Sequence, residues 1–171
     1  MKRFCIQQHY LRDNGVFPNN PDLPVFIYRG VLKLPLFMRA AHITKLLEKN
    51  HWSNTWKGTV YDYHHYHSIT HEVLAVYSGS ATLQLGGENG ITVSLKQGDV
   101  IIIPAGVAHK NLTPENTFKC VGAYPNGSIY DINTGKTGER PHTDQNIAHV
   151  PLPGFDPVFG KQGEMLKFWN K

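Results

Sequence analysis

The sequence predicts an all-β fold, a sandwich or barrel of short strands with one helix on its N-terminal side. Between residues 59 and 124, short runs rich in β-branched and aromatic residues alternate with turns that contain glycine. Several short strands at such spacing are typical of antiparallel sandwiches and barrels. A single segment before them has helical periodicity, and proline-punctuated sequence lies on both sides. The sheet is therefore expected in the middle of the chain.

Six strands are expected in this middle segment. Gly79, Gly98 and Gly106 mark turns, and the sequence GGENG at 86–90 indicates a hairpin. The expected strands are 59–67, 71–79, 81–87, 91–98, 99–104 and 118–124.

One helix is predicted before the strands. Pro35 suits a first helical position, and the helix is expected to stop near Asn50. Residues 1–34 are predicted to be extended and loop-like, with a short strand at 25–28. The apolar side chains that recur on one helical face are Leu36, Ala40, Ile43 and Leu47.

The 171 residues fit a single domain. Its barrel core is expected at about 58–125, preceded by an arm and the helix at 1–57 and followed by a loop-rich segment at 126–171. This last segment is too apolar for a loose linker, so it is expected to wrap the barrel or to cover a neighbouring subunit. Its large apolar residues are Phe155, Phe159, Leu166, Phe168 and Trp169.

The composition favours an ordinary globular protein, with 40% hydrophobic and 18% charged residues. The net charge of +4 comes from 17 Lys and Arg against 13 Asp and Glu. The basic residues are scattered, and their nearest approach to a cluster is Lys161, Lys167 and Lys171. Nucleic-acid binders gather such charge on one stripe or tail, so no nucleic-acid partner is expected.

The sequence also gives no reason to expect a membrane partner. No apolar run approaches the roughly 20 residues that span a bilayer, and no apolar signal segment follows the first basic residues. A cytoplasmic location is therefore expected. Cys5 and Cys120 are the two cysteines, and in that compartment we expect both to be reduced.

Four of the ten histidines fall within eight residues, in the sequence YHHYHSITHE. On a strand, alternate side chains share a face, so His65 and His67 are expected to point the same way. After a turn at 68–70, the chain returns with Glu72 in phase with apolar residues. Two imidazoles and one carboxylate can thus converge inside a barrel, a donor set that suits Fe, Ni, Mn or Zn.

The spacing of these residues resembles the first sequence motif of the cupin family. His65-x-His67, four residues, Glu72, six residues and Gly79 follow one another as in that motif. The motif usually opens with glycine six positions before its first ligand histidine, whereas Gly58 lies seven positions before it.

A second segment resembles the other cupin motif. Gly98, five residues and then Pro104-x-Gly106-x-x-His109 keep its internal spacing, but Thr113 stands where asparagine often closes it. Neither departure touches a ligand. The longer sequences 64–79, 98–111 and 121–127 also resemble the uncharacterised YjlB-type bacterial cupins.

The resemblance implies a cupin double-stranded β-helix, a jelly-roll barrel, with one divalent metal ion inside. The metal would be Fe, Ni, Mn or Zn, and the ligand a small organic molecule. The ligands that the resemblance implies are His65, His67, Glu72 and His109.

Small cupins with this ligand set include dioxygenases, isomerases and decarboxylases, so the fold alone does not choose a reaction. A metal-dependent enzyme acting on a small organic substrate is the leading hypothesis, with oxygenase chemistry ahead of isomerisation. The alternative is a cupin that binds a metal and a metabolite without turnover. A metal-free sugar-nucleotide epimerase would need a histidine–aspartate pair that the sequence does not place, and a DNA-binding regulator would need a helix-turn-helix segment.

We expect the other residues near the motifs to have packing or supporting roles. By parity His64 and His71 lie outside the barrel, although a register shift of one residue would bring His64 inward. Tyr63 shares the parity of His65 and could reach the cavity, but packing is favoured. We also expect a homodimer, because the terminal segments are apolar. Five histidines lack ligand spacing: His9, His42, His51, His142 and His149.

Overall fold

The computed structural model describes residues 4–114 and 117–170. Residues 1–3 belong to the predicted N-terminal arm, and Lys171 belongs to the predicted C-terminal segment and to the basic cluster. Both lie outside the described residues. The prediction of an all-β jelly roll is confirmed, with every described strand pair antiparallel. The strands are β1 (Cys5–Leu11), β2 (Asn20–Arg29), β3 (Trp52–Gly58), β4 (Glu72–Leu85), β5 (Ile91–Lys96), β6 (Val100–Ile103), β7 (His109–Asn111) and β8 (Phe118–Pro125). The helices are α1 (Arg39–Lys49), α2 (His142–Ala148) and α3 (Glu164–Trp169).

The long strand β4 connects the two halves of the barrel. Its first half pairs with β6 and β8 in a sheet ordered β1-β2-β6-β4-β8-β3, and its second half pairs with β5 and β7. The predicted strands 71–79 and 81–87 are thus one strand, which bends at Gly79. That residue has φ +70°, and a Cβ atom there would lie 1.8 Å from the carbonyl oxygen of Thr117. Only glycine fits this bend.

Side chains on β4 alternate between the barrel interior and an outer layer. Leu74 and Val76 belong to the interior apolar cluster, whereas Val73 and Ala75 belong to the outer one. This is the period of two expected of a strand. Glu72 shares the interior side, as its phase with the apolar residues predicts.

The outer layer is completed by the helices that flank the sheet. Ile43 and Leu47 of α1 and Met165 and Trp169 of α3 are all buried there. The indole N–H of Trp169 donates a hydrogen bond to the carbonyl of Pro24 at 3.1 Å, which ties α3 to β2. Residues 126–171 are loop-rich, as predicted, and they also contain the two short helices α2 and α3, which the sequence reading did not place. None of the described helices is long and apolar enough to cross a bilayer.

Helix α1 begins later than predicted. Met38 has φ 57° and ψ 33°, a left-handed conformation that cannot lie inside an α-helix, so the helix begins at Arg39 rather than Pro35. Leu36 is 81% exposed and does not belong to the buried face. The predicted end near Asn50 is confirmed, since the helix stops at Lys49.

The N-terminal segment contains two strands where the sequence predicts one short strand. By composition alone, Pro21 and Pro24 argue against a long strand, because proline donates no ladder hydrogen bond. Both lie in a stretch of β2 where pairing with β1 is interrupted, between Leu11↔Asn20 and the next pair at Val25. The prolines therefore remove no hydrogen bond from the ladder.

Candidate metal centre

The segment that carries two of the predicted ligand histidines is not a strand, so the prediction for 59–67 is wrong. It is held by two isolated bridges. His65 and His109 exchange backbone hydrogen bonds of 3.2 and 2.9 Å, and Tyr66 exchanges bonds of 2.9 and 3.0 Å with Asn133. Because neighbouring residues pair with different segments, no ladder runs along this part of the chain.

The structure nevertheless brings the four predicted residues together. One ring nitrogen from each of the three histidines lies within 4.8 Å of the other two. Oε2 of Glu72 lies 3.3 Å from Nε2 of His67 and 3.2 Å from Nε2 of His109. All four residues are at most 5% exposed. They come from the bridged segment, the first residue of β4 and the first residue of β7.

The outer ring nitrogen of each histidine bonds to a backbone carbonyl. Nδ1 of His65 donates to the carbonyl of Tyr63, and Nδ1 of His109 donates to that of Val107. Nδ1 of His67 donates to the carbonyl of Asp131. A carbonyl oxygen can only accept, so Nδ1 carries the proton in each ring and, when the ring is neutral, Nε2 presents its lone pair. This is the tautomer that a metal-binding histidine needs.

Burial and neighbouring groups together set the pKa values of the ionisable side chains in the site. Burial alone would raise the pKa of the Glu72 carboxyl, but the neighbouring His67 holds it below its usual range, so Glu72 is ionised. Burial and the nearby His109 and His67 lower the pKa of His65 to about 3, which keeps that ring neutral. Burial alone would lower the pKa of His67, but the charge of Glu72 raises it. The result is a buried carboxylate surrounded by imidazoles, the electrostatic setting of a cation site.

An unsatisfied atom also favours a metal at this point. Nε2 of His109 is buried and has no hydrogen-bond partner among residues 4–114 and 117–170. With the proton of the neutral ring on Nδ1, it presents only a lone pair to Oε2 of Glu72 at 3.2 Å. Buried polar atoms without partners are rare in proteins. Three imidazoles and one carboxylate fit a first-row divalent transition metal, and this donor set alone does not select among Fe, Ni, Mn and Zn.

A cavity of about 240 Å³ opens onto the four side chains. Such a volume holds a small organic molecule beside the donor atoms. Besides the four donors, its walls combine apolar and aromatic side chains with a few polar ones, as in many small-molecule sites. These other lining residues are Trp56, Lys57, Gly58, Thr59, Val60, Tyr61, Leu74, Tyr124 and Tyr130.

Sequence reasoning missed two residues that support the donors. Tyr124 donates a hydrogen bond to Oε1 of Glu72, and its place on β8, in phase with Phe118 and Cys120 in the interior cluster, could have indicated this. Asp131, whose carbonyl accepts from His67, lies in a loop without periodicity. No signal in the sequence identifies it.

The remaining candidates lie away from the cavity. His64 is buried 3.3 Å from Oε1 of Glu88, and Nδ1 of His71 accepts a hydrogen bond from the backbone N–H of Ala105. Neither lines the cavity. Tyr63 is 43% exposed and stacks on Tyr61 at 4.9 Å without reaching the cavity lining.

Comparisons with known proteins give one extensive match. Residues 52–121 match the family described as Cupin domain. The uncharacterised protein YjlB of Bacillus subtilis (strain 168) is 41% identical over 165 residues, covering 96% of this chain and 97% of YjlB. The similarity over nearly the full length of both proteins is what identifies the family.

Two solved structures are similar at a much lower level. Acireductone dioxygenase from Bacillus anthracis, with cadmium in its active centre, has a TM-score of 0.38 and 15% identity over 53% of this chain, which spans 60% of that chain. A DUF861 family protein from Thermotoga maritima has a TM-score of 0.34 and 21% identity over 57% of this chain and 96% of its own.

Proposed function

The chain belongs to the cupin family, and from that premise we propose that it is a metal-dependent enzyme acting on a small organic substrate. The proposed cofactor is one divalent ion of Fe, Ni, Mn or Zn. Its proposed ligands are the four residues that converge in the barrel: His65, His67, Glu72 and His109.

The single observation that carries the proposal is the common tautomer of the three histidines. Each Nδ1 is committed to a carbonyl, at Tyr63, Asp131 or Val107. A barrel that used the histidines only for packing would not need one ring nitrogen of each within 4.8 Å of the other two, with Oε2 of Glu72 against two of the rings. Such a convergence is the arrangement that binds a cation.

The rest of the cavity defines what this chain contributes to a reaction. The bound ion would polarise an oxygen ligand as a Lewis acid or, if it is iron, support oxygen chemistry. The aromatic residues Trp56, Tyr124 and Tyr130 line the cavity, and walls of this kind would hold the organic part of a ligand. A mixed N/O donor site suits oxygenase, isomerase and decarboxylase chemistry alike, and we propose oxygenase chemistry ahead of isomerisation as the first reaction to test.

Elemental analysis of protein purified without a metal-affinity tag tests the metal part of the proposal. We expect near-stoichiometric Fe, Ni, Mn or Zn in the wild type and its loss in the variant His65→Ala, His109→Ala. The variant His142→Ala is the matched control, because this exposed histidine lies outside the cavity, and it should retain the metal. Absence of metal from the wild type after reconstitution with all four ions would overturn the proposal.

Turnover separates the enzyme from the alternative, a cupin that binds a metal and a metabolite without catalysis. Oxygen consumption by the iron-loaded protein with a panel of small oxygen-chelating organic compounds tests oxygenase chemistry. Product analysis without oxygen tests isomerisation and decarboxylation. Tight binding of a compound that is recovered unchanged under both conditions would favour the alternative.

A further inference from the structure

The two oxygens of the Glu72 carboxylate lie in different surroundings. Oε1 accepts a hydrogen bond from the hydroxyl of Tyr124 at 3.0 Å. Oε2 faces Nε2 of His67 and Nε2 of His109 at 3.3 and 3.2 Å. Glu72 is 2% exposed, so water does not compete freely for either oxygen. One oxygen is therefore committed to a phenol and the other to the histidine cluster.

The direction of the hydrogen bond to Glu72 is fixed by its neighbours. The indole N–H of Trp56 donates to the hydroxyl oxygen of Tyr124 at 2.9 Å. An indole nitrogen can only donate and an ionised carboxylate can only accept. The hydroxyl hydrogen of Tyr124 is thus left for Glu72. The chain Trp56–Tyr124–Glu72 has a single consistent direction.

Packing holds the phenol of Tyr124 in place. Its ring stacks on Tyr130 at 4.8 Å and meets His67 edge-on at 5.9 Å. On the other side, the indole of Trp56 lies over Gly122, where a Cβ atom would come within 2.1 Å of the ring. The hydroxyl therefore has little freedom to choose another acceptor.

We propose that Tyr124 is a positioning residue that presents Glu72 to the metal through Oε2 alone. This inference rests on the proposed function, because it concerns how the carboxylate binds the ion. Without the hydrogen bond, the carboxylate is free to rotate and to offer both oxygens. The phenol thus selects one mode of binding, and supporting residues of this kind strengthen metal affinity.

Titration of the metal-free protein with Co²⁺ tests the inference, since bound Co²⁺ gives visible absorption that depends on its coordination. We expect Tyr124→Phe to weaken Co²⁺ affinity by about 10- to 100-fold and to change the absorption spectrum at saturation. Tyr10→Phe is the matched control. This tyrosine of β1 is exposed and lies outside the cavity lining, so affinity and spectrum should match the wild type.

A second variant guards against a folding defect. Trp56→Phe removes the hydrogen-bond donor to Tyr124, and it should weaken Co²⁺ affinity by less than Tyr124→Phe does. Thermal unfolding of each metal-free variant shows whether the variant is folded. Failure of the wild type to bind Co²⁺ would overturn the proposed function. Binding by the wild type with an unchanged affinity and spectrum in Tyr124→Phe would overturn only the role of Tyr124.

Discussion

Two of the three histidines are oriented locally and the third is oriented by a distant loop. His65 and His109 each donate Nδ1–H to the carbonyl two residues earlier in the chain. His67 instead donates to the carbonyl of Asp131, 64 residues away. The orientation of His67 therefore depends on a loop that the sequence motif does not include.

The side chain of Asp131 holds that loop against the site, which gives a prediction at the residue scale. Its carboxylate accepts from the backbone N–H of Ser68 at 2.7 Å and from Nδ2 of Asn133 at 2.7 Å. We expect Asp131→Ala to weaken metal affinity by about 10-fold, because the acceptor for His67 is no longer held. A titration in competition with a chelator measures this, with the exposed Asp62→Ala as the control. Equal affinity in the two variants would contradict the role given to the loop.

At the scale of elements, strands β3 and β8 approach closely where they build the cavity wall. Trp56 of β3 pairs with Gly122 of β8 across the ladder. A Cβ atom at Gly122 would lie 2.1 and 2.3 Å from atoms of the indole of Trp56. The glycine thus makes room for the ring whose N–H reaches Tyr124.

Substitution of this glycine is expected to disturb both the sheet and the site. Gly122→Ala should lower the free energy of unfolding by about 1–3 kcal/mol, because the indole must move in a packed interior. It should also lower metal affinity, in the direction of Tyr124→Phe. Urea unfolding and Co²⁺ titration measure the two effects. The control is Gly154→Ala, whose added Cβ atom meets nothing within 4 Å. A Gly122→Ala protein as stable as this control would contradict the packing argument.

The elements also show what the sequence could predict and what it could not. Glu72 faces the interior because the first part of β4, up to Val76, alternates with a period of two, and parity predicts this directly. His65 and His67 face inward although their segment is not a strand. The bridges from His65 to His109 and from Tyr66 to Asn133 keep the alternation of side chains. The support from Asp131 could not be predicted, because it comes from a loop contact distant in sequence.

At the scale of the whole molecule, the proposed ligands connect parts of the chain that are distant in sequence. His65 and His67 precede β4, Glu72 begins it, and His109 begins β7. A metal bound only by the folded state therefore stabilises the whole barrel, by about 2.7 kcal/mol when the free ion is at 100 times its Kd. Thermal unfolding with added metal and with a chelator measures this. The rise in Tm should be absent from His65→Ala, His109→Ala, and an equal rise in that variant would contradict binding at this site.

The predicted homodimer is a further expectation at this scale. The C-terminal apolar sequence that favours a dimer packs largely on the chain's own sheet. Met165 and Trp169 are buried there. A different apolar run remains outside: Leu36, Phe37 and Met38 are 79–82% exposed. Contiguous exposed apolar residues are typical of interaction surfaces. Sedimentation velocity at micromolar concentration should give a dimer, and a monomer would contradict this expectation.

The most direct test of the central claim is an anomalous-scattering map of a crystal of the metal-loaded protein, with data collected on both sides of the absorption edge of the ion. We expect one strong peak inside the barrel, within bonding distance of Nε2 of His65, His67 and His109 and of Oε2 of Glu72. A peak elsewhere, or none at this point in a crystal whose protein carries one ion per chain, would contradict the proposed site.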